Sequence, residues 1–216
     1  MTLFAPPVFS RLASLATGRI TRPLWAALCL LAMAFAVAGC SGYDDLVEKD
    51  QTAAQKWSDL EAALQRRYDL IPSLVETVKG SAKHEQQTLA QVTEARANVG
   101  KLQLTADDLT DPAKMEAFQK AQADLKSSLS RLMVIQEQYP DLKANKSFHD
   151  LQVQLEGTEN RIQRSREEYN QAARDYNTAL LKVGGQVVNK VTGAPFKPRV
   201  YFTATSEAQV APKVQF

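Results

Sequence analysis

The chain has 216 residues, 44% hydrophobic but only 7% aromatic, with 26 basic against 24 acidic side chains. Those figures bound it at one domain, or a small domain with extensions, and leave room for a real core. A formal charge of +2, with the signs interspersed, supplies no basic groove for nucleic acid. Cys29 and Cys40 both precede the body, and His84 and His149 are the only histidines. Thiol catalysis, cysteine zinc sites and Ser/His/Asp chemistry therefore lack their parts, and the expectation is a protein that is not an enzyme and takes no cofactor or metal.

Residues 1–22 carry Arg11, Arg19 and Arg22 and no acidic group, and Leu24 to Gly39 then runs without a charge, the layout of an export signal. The run closes on Val37-Ala38-Gly39-Cys40, which resembles a bacterial lipobox and marks Cys40 as the lipid attachment site and first mature residue. Acyl chains, at about 0.8 kcal/mol per buried methylene, then replace a membrane span as anchor. The alternative is an uncleaved span, because Pro23 to Tyr43 is free of charge and about 20 residues suffice to cross. The lipobox and the early end of the apolar run favour the lipoprotein. Either way the body faces away from the cytoplasm, on the periplasmic side, since the arginines precede the apolar run. Ser41 in place of an aspartate implies, by resemblance to Gram-negative lipoproteins, the outer membrane in a host that has two. The expected division is 1–39 signal peptide or anchor, 40–183 helical body and 184–216 tail.

From Tyr43 onward, Ala53, Trp57, Leu60, Leu64, Arg67, Ile71, Leu74 and Val78 follow in steps of four and three, the spacing of a helix packed along a partner. This pattern predicts a first helix from about 43 to about 98, with Leu89 and Val92 carrying the stripe past Gly80. Pro72 sits inside it and removes one backbone donor. It either kinks the helix or breaks it with Asp69 as a cap, giving three or four long helices. Asp111-Pro112 is a start signal. The second helix has the seam Phe118, Gln122, Leu125, Leu129, Leu132, Gln136 and Tyr139, and Pro140 is expected to close it.

The third helix is the most regular, from Phe148 through Leu155, Thr158, Ile162, Ser165, Tyr169 and Tyr176 to Val183, with Gly184-Gly185 expected to end it. Short connections between such helices make them antiparallel, so the fold class is all-α, a long antiparallel bundle with coiled-coil-like packing. The tail is expected to be irregular, strand-like only over 200–205, and pinned by Phe196, Tyr201 and Phe202.

The stretch Leu64-Gln65-Arg66-Arg67-Tyr68-Asp69-Leu70-Ile71-Pro72-Ser73-Leu74-Val75-Glu76-Thr77-Val78-Lys79-Gly80 resembles the LemA family of bacterial envelope proteins. A second block, Tyr139-Pro140-Asp141-Leu142-Lys143-Ala144-Asn145 with Leu155-Glu156-Gly157-Thr158-Glu159-Asn160-Arg161-Ile162, looks like its central motif, and Tyr169-Asn170 with Tyr176-Asn177 like its closing one. The resemblance covers about residues 43–183. It implies an N-terminal membrane anchor, an all-helical exported domain and no established enzymatic activity. The chain departs from the family in its lipobox, where many members keep a short transmembrane helix, and in Gly184-Gly185, where Phe-Pro is often found.

Four groups of residues are candidates for function. His84-Glu85 opens a zinc-protease pattern, but Thr88 stands where the second histidine belongs, and the motif fails. Arg67 occupies a seam position and needs an acceptor, with Glu156, Glu159 and Glu168 as its candidate partners. Together with Gln122, Gln136, Thr158 and Ser165 it either fixes register or lines a polar pocket for a small ligand, and register is the commoner use of such residues. Tyr169-Asn170 and Tyr176-Asn177 repeat at seven residues, so the tyrosines form one column and the asparagines the next. Such a ladder either grips an extended partner or packs helices, and the seam position of the tyrosines favours packing. Arg161, with Arg164, Arg166, Glu167 and Glu168, reads as a solvated charged face. The expected function is an anchored adaptor or scaffold for other envelope proteins, with lateral self-association. A ligand-sensing helical module with an inter-helix pocket is the alternative.

Overall fold

The computed structural model describes residues 21–81, 85–193 and 196–203, with side chains from Gly42 onward apart from Thr192. Among the described residues six α-helices follow one another: α1 (Thr21–Ser81), α2 (Gln86–Gly100), α3 (Pro112–Ile135), the single turn α4 (Pro140–Lys143), α5 (Lys146–Leu181) and α6 (Val183–Thr192). The described residues contain no strand. The long helices alternate in direction. Lys56 meets Glu168 and Arg67 meets Glu159, so α5 runs antiparallel to α1. Contacts of Tyr68 with Arg96 and Gly100 lay α2 back along α1. The bundle is therefore up-and-down and all-α.

Every predicted seam residue of α1, from Ala53 to Val78, is buried, and Leu46 extends the series by another heptad. At about 1.5 Å per residue α1 is on the order of 90 Å long. The far part of the core gathers Ile71, Leu74 and Val78 with Leu89, Val92, Leu125, Leu132, Leu142 and Phe148. The middle is aromatic, with Trp57 5.2 Å from Tyr169 and 5.8 Å from Phe118, within the distances at which ring pairs attract. At the other end Leu46 packs with Tyr176, Ala179, Leu180 and Val188.

Three of the expected boundaries are corrected, and of the two alternatives at Pro72 the break is excluded. The first helix does not run to about 98, because it stops at Ser81 and α2 returns from Gln86. Nor does it break at Pro72, which leaves Asp69 an exposed mid-helix residue accepting from Gln65 rather than a cap. Proline 72 offers no N–H to the carbonyl one turn earlier, that of Tyr68, and Nε of Arg96 on α2 donates to that oxygen at 3.3 Å while its guanidinium lies 3.9 Å over the Tyr68 ring. The orphaned acceptor is satisfied from the neighbouring helix, so α1 continues.

Pro140 begins α4 at its first position instead of closing the preceding helix, and Leu142 of that turn plugs the core. Gly184-Gly185 also lies inside a helix. The break falls at Lys182, in extended conformation, and α6 then covers part of the tail that was expected to be irregular. A Cβ on Gly185 would sit 2.2 Å from the Ala179 carbonyl oxygen, so the glycine is there for close approach of α6 to the end of α5. Gly193, at φ 62°, is what stops α6. Two start signals do act as caps. Asp111 accepts from the N–H groups of Ala113 and Lys114, and Asn145 does the same for Ser147 and Phe148 on α5.

The lipobox and the apolar run fall where backbone alone is described, within α1. The side chain of Cys40 therefore lies outside the described residues, as does His84. Among the described residues no helix is long and apolar enough to cross a membrane.

Candidate functional site

Part of the polar seam is joined across the helices, with the Arg67 Nε buried and without a hydrogen-bond partner. Arg67, 2% exposed, donates through Nη1 to Glu159 Oε1 at 2.7 Å and through Nη2 to the Gln122 side-chain oxygen. Of its three candidate partners only Glu159 reaches it, and Lys126 stands 3.6 Å from the second Glu159 oxygen. Glu168 pairs instead with Lys56, and Glu156 is exposed and accepts from Gln152. Asn160 and Arg161 are exposed on α5, Arg161 beside a shallow surface depression that Asp69 also lines. His149 is exposed near the start of α5. Among the described residues no three His, Cys, Asp or Glu side chains gather as a metal site.

The tyrosine–asparagine ladder does more than pack helices. Both tyrosines are buried in the seam, and the asparagines beside them grip an extended segment, which is the chain's own residues 196–203. Asn170 Nδ2 donates to the Phe202 carbonyl at 2.7 Å, and the Phe202 N–H donates back to Asn170 Oδ1 at 2.8 Å. Asn177 makes the same pair with Arg199, at 2.9 and 2.8 Å. Asn189 on α6 repeats it with Phe196, at 3.2 Å each way. Each amide thus satisfies both main-chain groups of one residue, as a neighbouring strand would.

The spacing is commensurate. Arg199 and Phe202 are buried and Phe196 is half-buried, while Lys197, Pro198, Tyr201 and Thr203 are exposed, a period of three. Three residues of an extended, polyproline-like chain advance about 9 Å, close to the roughly 10.5 Å that separates Asn170 from Asn177 along α5. The tyrosine column follows the same step. Tyr169 donates to the Val200 carbonyl at 2.9 Å and Tyr176 to that of Lys197 at 3.1 Å. Burial pushes both hydroxyls up to about 12, which keeps them protonated donors.

Two side chains of the segment are anchors. Arg199 forms an ion pair with Asp50 of α1, Nη2 to Oδ1 at 2.9 Å, and donates to the same oxygen through Nε. Phe202 lies 6.4 Å from Phe118 with the Arg166 guanidinium 4.4 Å above it. From α3, Gln119 donates to the Tyr201 carbonyl and accepts from Thr203, and the Val200 N–H donates to the Leu109 carbonyl. Of the three expected pins, Phe196 and Phe202 hold and Tyr201 faces outward, 38% exposed. Sequence reading did not find Asp50, Gln119, Asn189 or Arg199. The usable signal was the heptad of asparagines, whose amides have no apolar neighbour to pack and need main-chain partners.

Fold and site together define an all-helical up-and-down bundle that closes over its own extended C-terminal segment. The LemA family matches residues 56–216, which takes in the clamp and the clamped segment and extends beyond the stretch in which the motifs were legible. The chain belongs to the LemA family. It is 27% identical over 208 residues to the magnetosome protein MamQ of Magnetospirillum gryphiswaldense, covering 86% of this chain and 74% of that protein. To magnetosome protein MamQ 2 of Paramagnetospirillum magneticum it is 26% identical over 195 residues, with 80% and 69% covered. Protein LemA of Metamycoplasma hominis is 29% identical over 133 residues, with 61% and 57% covered.

Proposed function

We propose that the chain is a non-enzymatic adaptor or scaffold of the cell envelope, attached through lipid on Cys40 and facing the periplasmic side, in the outer membrane where the host has two. The observation that carries this reading is the amide clamp. Asn170, Asn177 and Asn189 bind main-chain groups, so the grip depends on extended backbone more than on side-chain identity. Residues 196–203 occupy the clamp, so a partner's extended backbone would enter it by displacing that segment. Support for the anchor comes from the lipobox, Val37-Ala38-Gly39-Cys40, at the end of the apolar run. The ligand-sensing alternative draws less support, since two of the three guanidinium nitrogens of Arg67 are already taken by Glu159 and Gln122, although its Nε is buried without a partner.

The test is chemical crosslinking of the full chain in its native membrane, stringent purification and mass spectrometry, with Cys40→Ala as the displaced control. Envelope partners or self-crosslinks that vanish in the control support the reading. A mature protein that keeps Met1, or whose Cys40 thiol carries no acyl mass, removes the lipid anchor. An anchored chain that crosslinks to nothing removes the adaptor.

A further inference from the structure

The described residues expose eight large hydrophobic side chains, and five of them, Tyr43, Leu181, Val183, Val187 and Val191, lie at one end of the bundle. Three form a stripe on α6, with Val183 79%, Val187 53% and Val191 79% exposed. Steps of four place them along one side of the helix. The opposite side, Gly185 and Val188, is buried against the bundle. The exposed stripe has Lys190 beside it and Lys182 just before it, and α6 contains no acidic residue.

The position of this face says what covers it. Val188 Cγ2 is 3.5 Å from where a Cβ on Gly42 would stand, and the Phe196 ring is 6.0 Å from that of Tyr43. Gly42 follows Cys40 by two residues, about 3 Å of helix rise. With acyl chains on Cys40 as the anchor, the bilayer surface meets the chain there. Ten residues of helix, about 15 Å, cannot cross a bilayer. A short helix with a valine stripe, flanking lysines and no carboxylates is suited to lie in the interface plane.

We propose that α6 is a membrane-surface helix, its Val183–Val187–Val191 face seated among the lipid headgroups and upper acyl chains beside the anchor, with Lys182 and Lys190 at the phosphates. The inference rests on the membrane-anchored reading above. It makes the contact with lipid two-point, through the anchor and through α6, which fixes the orientation of the bundle and of the clamp at its side.

The experiment uses the full chain in vesicles of phosphatidylethanolamine and phosphatidylglycerol, with a genetically encoded coumarin amino acid at position 187 or 191. Position 153, equally exposed but on the body of α5, carries the control label. Nitroxide lipids of graded depth quench the probes, and flotation reports attachment. Quenching at 187 and 191 that places them about 5–10 Å into the interface, with none at 153, is the expected result, as is its loss from 191 in Val183→Ser/Val187→Ser. Chains that float while the probes at 187 and 191 stay aqueous overturn the α6 contact and leave the anchor standing. Chains that neither float nor quench overturn both. Blue-shifted probes without nitroxide quenching overturn the lipid contact in favour of a second copy or another protein on the stripe.

Discussion

Replacing Asn177 by leucine isolates the clamp, because the shape is nearly kept while both hydrogen bonds to Arg199 disappear. Arg199 is buried, so its N–H and C=O would be left without partners at about 1–3 kcal/mol each. The segment can avoid that penalty by letting go, which makes the measured loss the smaller of about 2–6 kcal/mol and the free energy of docking residues 196–203. Amide hydrogen exchange read by mass spectrometry separates the two regions. A loss of 2 kcal/mol lowers protection over 196–203 by about 30-fold, while peptides around Arg67 keep theirs. Asn170→Leu does the same through Phe202, and the double variant loses less than the sum, because a segment released once cannot be released again. Unchanged exchange at Arg199 and Phe202 in Asn177→Leu, or strictly additive losses, would refute the idea that the amides hold one cooperative strap.

Three further predictions concern the bundle itself. Glu159→Ala strands the buried Arg67 charge, whereas Arg67→Met leaves a Glu159 that is part-exposed and still near Lys126. The first therefore costs about 3–5 kcal/mol and the second about 1–3, mainly for the unpaired Gln122, and urea midpoints in the reverse order would sink this account. Arg96→Ala costs about 1–3 kcal/mol by removing the Tyr68 carbonyl's donor and the stacking over its ring. In a Pro72→Ala background the restored N–H takes that role, so the Arg96 effect shrinks, and an equal cost in both backgrounds counts against the substitution of donors. Tyr169 and Tyr176 ionise near 10 when unfolded but at about 12 when folded. Their contribution is present below pH 10 and lost as the pH rises through about 12, because the unfolded chain gives up its protons first. Phenolate absorbance should show Tyr169 and Tyr176 titrating late, with ionisation that coincides with loss of helix, and Tyr169→Phe should flatten that alkaline decline.

The four-and-three spacing of apolar residues determined the long helices and their buried faces, since burial needs only that one side of each helix be apolar. Asp111 and Asn145 needed only their own neighbours to cap α3 and α5. Tertiary structure decided what depends on backbone groups being completed from a distance. Pro72 reads locally as a breaker, yet α1 passes through it because Arg96 satisfies the carbonyl that the proline orphans. Gly184-Gly185 reads as a stop, yet both glycines lie in the first turn of α6, where the absence of a Cβ at Gly185 lets the helix approach the backbone of Ala179. The asparagine column read as helix packing until residues 196–203 lay against it. Local sequence shows which groups want hydrogen bonds or room, and only the folded chain shows which distant residues provide them.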